Sequence, residues 1–263
     1  TLLFIKFILR KPVGHGIPSA LYAISQKNSI IKGYNMFASI ITSAFTVGFG
    51  GSVGLEGPTV ATSASIGSNL GRFFKLDYKT ITLLVGCGAA GAMSGIFNAP
   101  IAALVFVLEV FMFDLTLASM IPFLMASVAA ALSSRMMLGD EVLFDIVIKD
   151  KFISSDFPFY ILLGVFTGLI SVYFNKMFWW VEGLFDKIKL QRYRLLIGAS
   201  ILGVLIFFVP PLYGEGFETI VSLLNGDYTK IFNQSLLFAY KDNLALVIGL
   251  IFILVLLKVV ASA

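Results

Sequence analysis

The chain has 263 residues, of which 58% are hydrophobic and only 13% charged, with a formal charge of +4. A soluble domain of this length seldom runs so apolar, so the composition points to a membrane protein in contact with a lipid bilayer. The Lys and Arg residues lie scattered between apolar runs, which implies no nucleic-acid partner, and the single Cys87 cannot form an internal disulfide.

In chain order, Leu2–Leu9 reads as the tail of a helix ending near Arg10-Lys11-Pro12. The loop Val13-Gly14-His15-Gly16-Ile17-Pro18 leads into a short helix to about Gln26, and Lys27–Lys32 is a polar link. A helix over about Tyr34–Phe49 breaks at a glycine cluster, and the next is expected from about Pro58 to Phe73, because proline suits a helix's first turn. After a charged link, a helix over about Thr80–Ile96 breaks at Phe97-Asn98-Ala99-Pro100, and a shorter one follows over Ile101–Phe113. Leu115–Met137 is helical, and Gly139–Asp156 is a polar, acidic loop. A long helix over Phe157–Lys187 carries Trp179 and Trp180 as interfacial anchors, and Lys187, Lys189, Arg192 and Arg194 place the loop after it in the cytoplasm. The last expected elements are Arg194–Phe208, a loop at Tyr213-Gly214-Glu215-Gly216, a short helix Phe217–Leu224 and a span over Leu244–Ala263.

The expected fold is therefore all-α and polytopic. Uncharged runs such as Thr80–Leu108 exceed the roughly 20 residues that cross a bilayer as a helix. Short helices alternate with long ones, and two of the short ones open with Gly-rich loops ending in proline. That pattern points to discontinuous or re-entrant helices meeting near the bilayer midplane. The first residues read as a helix already under way and Ala263 lies inside an apolar run, so the chain is expected to be part of a longer membrane domain.

One residue stands out within this frame. Glu56 is the only charged residue between Gly33 and Gly71, set in Gly50-Gly51-Ser52-Val53-Gly54-Leu55-Glu56-Gly57-Pro58. A carboxylate in so apolar a stretch marks a functional site by default. The start of a helix beside it aims free N–H groups and the positive end of the helix dipole at the same place. The combination is an anion site with an acidic side chain placed to compete for it. Protonation would remove the competing charge.

Three segments together resemble the CLC family of chloride channels and chloride/proton antiporters. Gly14-His15-Gly16-Ile17-Pro18 is similar to the family's G-S-G-I-P loop, and Gly54-Leu55-Glu56-Gly57-Pro58 to its G-[KR]-E-G-P motif. Ala89-Ala90-Gly91 with Phe97-Asn98-Ala99-Pro100-Ile101-Ala102 and Phe106-Val107-Leu108-Glu109 resembles its A-A-x-F-N-A-P-x-A…F-x-x-E segment. Order and spacing fit, and Gly214-Glu215-Gly216-Phe217 resembles a later loop. The resemblance implies an inverted-repeat architecture, with the later part of the first repeat over about 1–140 and the beginning of the second over about 157–263. It implies a multi-pass protein that moves chloride or a similar small anion and works as a homodimer; no cofactor or metal is expected, and the absence of a visible signal peptide fits a plasma or inner membrane. Glu56 takes the gate position. Gly14, His15, Gly16 and Ile17, with Gly54, Leu55 and Gly57, take the anion-binding positions. The helices over Ile101–Phe113 and Leu115–Met137, with Phe106, Phe111 and Phe113, take the dimer interface.

Three departures from the family pattern carry weight. His15 stands at the usual serine, and Leu55 replaces the basic residue before the gate. Val110 stands where antiporters of the family carry an inner glutamate for protons. A valine there favours a channel-like pathway, with chloride/proton antiport as the alternative. The tyrosine of the family's central anion site and its G-x-F-x-P motif are not in the sequence.

Other signals are weaker. Gly86-Cys87-Gly88-Ala89-Ala90-Gly91 matches G-x-G-x-x-G without the strand a dinucleotide site needs, and reads as a small-residue face for helix packing. Gly67…Gly71 and Gly164…Gly168 read the same way. Glu109 is assigned a structural part, and Asn233-Gln234-Ser235 is a formal glycosylation sequon. An intramembrane enzyme built on Ser94 would need a base, and the only histidine is far away in sequence.

Overall fold

A computed structural model describes residues 4–10, 14, 16–139, 153–226 and 244–263 of the chain. All regular structure among the described residues is helical. The α-helices are α1 (Gly16–Gln26), α2 (Asn35–Gly48), α3 (Glu56–Phe73), α4 (Tyr78–Phe97), α5 (Pro100–Val110), α6 (Leu117–Leu138), α7 (Phe157–Asp186), α8 (Gln191–Phe208), α9 (Phe217–Leu224) and α10 (Leu244–Ser262). They fall into two compact units, one of Thr1–Phe49 with Gly54–Asp145, the other of Gly50–Val53 with Ile146–Ala263. Among the described residues α4, α6 and the stretch Ser154–Asp186 are long and apolar enough to cross a membrane.

The first unit is built around α3 and α4. Asp77 starts α4 two residues before Thr80, because its carboxylate accepts from the backbone N–H of Lys79 at 3.1 Å and from the Thr80 hydroxyl at 2.6 Å. Asn98, with φ 53° in the left-handed region, ends α4, and Pro100 opens α5. The α3 and α4 backbones meet at glycines. A Cβ on Gly67 would run into the carbonyl of Leu84, and one on Gly88 into that of Ser63. Such close approach gives the dispersion contacts and polar contacts that hold helices together in lipid. α6 is tied to α4 by hydroxyls: Ser94 donates to the Ser127 carbonyl at 2.6 Å, and Ser134 to that of Gly95 at 2.9 Å. Val60, Val85, Val107 and Phe123 are fully buried in this core.

The second unit holds the long α7, whose 30 residues give about 45 Å of helix at about 1.5 Å each, enough to cross a bilayer with tilt. The Tyr173 hydroxyl ties it to the Leu256 carbonyl of α10 at 3.3 Å. Leu212, Val247 and Leu254 form a small core between the 210–212 turn and α10.

Several expected boundaries change. α3 begins at Glu56, two residues before Pro58, because both the N–H and the hydroxyl of Thr59 donate to Leu55 O, at 3.0 and 2.7 Å. Proline is tolerated at the third position because N–H groups of the first turn lack an intrahelical acceptor anyway. α5 stops at Val110, where Met112 turns left-handed with φ 54°. α8 starts at Gln191, since Leu190 O accepts from Tyr193 N at 2.9 Å, and Arg194 reaches back to Asp186 at 2.9 Å. Gly67 and Gly71 pack on α4 as expected, but Gly164 and Gly168 face open space among the described residues. The acidic loop is described only from Ile153, where Ser154–Asp156 forms a 3-10 turn, and the Asn233 sequon lies outside the described residues.

Candidate functional site

Two helix starts converge in the first unit. α1 opens at Gly16 (φ +46°) and α3 at Glu56, and both carry proline at their third position. A Cβ on Gly16 would sit 3.4 Å from the carbonyl carbon of Gly57, so the first turns are in contact through two glycines. Neither glycine has a side chain to cover the peptide N–H groups of these turns, which have no intrahelical acceptor. Two positive dipole ends brought together favour a negative charge between or beside them.

Glu56 supplies such a charge. It is the first residue of α3, half-buried, and its carboxylate folds back over the Cα of Gly54, into the space a Cβ there would fill. Any side chain at position 54 would expel the carboxylate from that seat. Gly54 is exposed, whereas Leu55 and Gly57 are half-buried. Ile17 packs against the core and fixes the start of α1. Gly14 lies under the Ser19 side chain, and His15 lies outside the described residues.

The approach of α1 to α3 is maintained by a polar clamp. The Ser68 hydroxyl donates to Ser29 O at 2.6 Å and accepts from Ile31 N at 2.9 Å, while Asn69 donates to Ile31 O at 3.2 Å. Ser29 and Thr82 exchange a hydroxyl bond of 2.5 Å, which adds α4 to the clamp. Each such bond contributes about 0.5–1.5 kcal/mol net, and more is lost when a buried partner is left unpaired.

Three residues beside the site were not singled out from the sequence. Ser19, Asn35 and Ser39 line a small cavity at the start of α1, bounded also by Gly14 and Ala61. Asn35 Oδ1 is buried there with no hydrogen-bond partner among the described residues. The available signal is spacing, since Asn35 and Ser39 are four apart and share one face of α2.

Away from the helix starts, Val110 is the last residue of α5 and packs half-buried on the first unit's core. Glu109 is exposed beside it. Phe111 is buried, and Phe106 and Phe113 pack on the same core, with Phe113 and Phe123 ring centroids 5.0 Å apart. Phe111 is thus enclosed by the chain's own core, while Phe106 and Phe113 are half-buried against it. The outward stripe of α6 is Ile121, Met125, Val128 and Leu132. Ser94, buried and donating to Ser127, serves helix packing and has no base beside it among the described residues. No group of three His, Cys, Asp or Glu residues that could hold a metal occurs among the described residues.

The comparisons agree on one family. The family model for the voltage gated chloride channel matches residues 1–263. The H(+)/Cl(-) exchange transporter ClcA of Vibrio cholerae is 32% identical over 69% of this chain and 41% of its own length. The chloride channel protein CLC-f of Arabidopsis thaliana is 28% identical over 80% of this chain and 29% of its own. The crystal structure of a slow cyanobacterial Cl-/H+ antiporter superposes with a TM-score of 0.76 at 24% identity, over 98% of this chain and 59% of that one. The chain spans about half the length of the curated relatives it matches.

Proposed function

The chain belongs to the voltage gated chloride channel family, and from that premise we propose that this integral membrane protein carries chloride or a similar small anion past Glu56, which acts as the gate. The observation that carries the proposal is the contact of two helix starts at Gly16 and Gly57, with the Glu56 carboxylate in the first turn of α3. Gly14, Gly16 and Ile17 on one side, and Gly54, Leu55 and Gly57 on the other, form the anion-binding positions, with His15 between the first two. In its folded-back seat the carboxylate occupies a position an anion would seek. On protonation it loses that preference and yields the place.

We infer exchange against protons in preference to passive conduction. The support is the relative named as an H(+)/Cl(-) exchange transporter, at 32% identity. This reverses the expectation drawn from Val110. A valine cannot relay a proton, but a route that uses Glu56 and bridging water has no need of a carboxylate at that position. Passive conduction is the second reading, and Val110 is the observation that favours it. A homodimer belongs to the same proposal, with the α6 stripe Ile121–Met125–Val128–Leu132 and the exposed Ile101 and Val105 of α5 as its apolar face. A plasma or inner membrane is the proposed location.

The deciding experiment records anion flux and proton movement together in liposomes holding the full-length protein. Exchange predicts that a chloride gradient drives protons uphill. Chloride flux without uphill proton movement selects the channel.

A further inference from the structure

The segment that enters the gate is held from far along the chain. Within the second unit, Gly50–Val53 is not helical, and it contacts the 206–213 region and the last turn of α10. Gly50 (φ +96°) lies under the Tyr213 ring, where a Cβ would be 3.6 Å from Cε2. Ser52 is 1% exposed, and its carbonyl accepts from the Ser262 hydroxyl at 2.7 Å across 210 positions of sequence. Lys258, one turn earlier on the same face of α10, donates to the carbonyls of Gly214 at 2.6 Å and Leu212 at 3.3 Å. One helix thus holds both ends of the grip: Ser262 on Ser52 directly, and Tyr213 on Gly50 through the Lys258-anchored turn.

We propose that Ser262 is a positioning residue for the gate. Its hydroxyl tethers the segment whose next residues, Gly54 and Leu55, lead directly to Glu56. The inference rests on Glu56 being the gate. The hydroxyl has one proton and two acceptors in reach, Ser52 O at 2.7 Å and Lys258 O at 2.8 Å. It can therefore satisfy itself within its own helix when it releases Ser52, so that breaking the tether costs only the one bond to the Ser52 carbonyl. A contact of that kind suits a segment that must yield each time the gate moves. The carboxylate's seat over Gly54 depends on the backbone of residues 54 and 55, so a looser segment gives a less secure seat.

The test uses full-length protein in liposomes, with anion flux measured for Ser262→Ala, Ser262→Thr, Glu56→Ala and the double variant Glu56→Ala/Ser262→Ala. Ser262→Ala is expected to raise flux by roughly 2- to 10-fold, the range expected from one lost hydrogen bond. Ser262→Thr keeps the hydroxyl and should restore the original rate. In the gateless Glu56→Ala protein the Ser262→Ala change should have no effect. An equal change with and without Glu56 would mark Ser262 as merely structural and overturn the proposal. So would wild-type flux in Ser262→Ala while Glu56→Ala alters transport. If Glu56→Ala transports like the wild type, the gate reading itself fails and the tether falls with it.

Discussion

α4 and α7 are both long apolar helices, yet among the described residues 39% of the apolar stretch of α4 is buried and none of the corresponding stretch of α7. Hydropathy does not separate them. Side-chain size does. α4 puts Gly88 against α3 and Gly86 and Gly91 against α6, while Gly164, Gly168 and Gly183 of α7 face open space among the described residues. Lipid tails are as apolar as leucine, so an exposed Phe159 or Leu169 costs nothing in a membrane, and only close backbone approach and polar contacts select a neighbouring helix. Helix α3, which carries the proposed gate Glu56, lies in the tightly packed region.

The largest test of that contrast is a matched pair, Gly88→Val and Gly164→Val. The first drives a side chain into the Ser63 carbonyl and is expected to prevent accumulation of folded protein. The second adds apolar surface in open space and should stay within about 0.5 kcal/mol of the wild type. Thermal unfolding in detergent, followed by size-exclusion chromatography, reads both. Equal damage at the two positions would erase the distinction.

Ser68→Ala against Thr167→Ala sharpens the comparison at smaller scale. Losing the Ser68 hydroxyl leaves the buried Ile31 N–H unpaired and releases Ser29, at an expected cost of about 1–3 kcal/mol. The Thr167 hydroxyl donates to Gly164 O at 3.0 Å on an exposed face and should matter little. Both are read as shifts in Tm, and the Ser68 variant should also lose anion flux as α1 drifts from α3.

The smallest effect is at Asp77, outside the spans. Its hydrogen bond from the Thr80 side chain, with help from backbone N–H groups, holds its carboxyl below the ordinary value of 3.8. The folded state therefore gains from the charged form above that value, and the gain disappears as pH falls through the lower folded value. Asp77→Ala should lower Tm slightly at neutral pH, and the gap to the wild type should close in acid. A gap that widens in acid would contradict the cap.

Much of this was legible in the sequence because uncharged runs and Gly/Pro breaks are local signals. The helices, the break after Asn98 and the isolation of Glu56 all follow from them. The register at Glu56 was less legible. Pro58 suggests a helix starting at its own position, whereas the Leu55 carbonyl, accepting twice from Thr59, starts α3 earlier and places Glu56 inside the first turn. That Phe106, Phe111 and Phe113 pack on the first unit's own core was not legible, because composition does not reveal which side of a helix faces it. The Asn35–Ser39 face beside α1 becomes meaningful only once α2 is known to lie there. The Ser262–Ser52 bond spans 210 positions, a separation at which no sequence period operates.

The role proposed for Glu56 is tested most directly by the pH dependence of anion flux by the full-length protein in liposomes, wild type against Glu56→Gln. Glutamine keeps the shape of the protonated carboxyl and never carries its charge. The wild type's response to pH should be largely lost in the variant, together with uphill proton movement. A Glu56→Gln protein that keeps both the wild-type rate and the wild-type pH response would contradict that role.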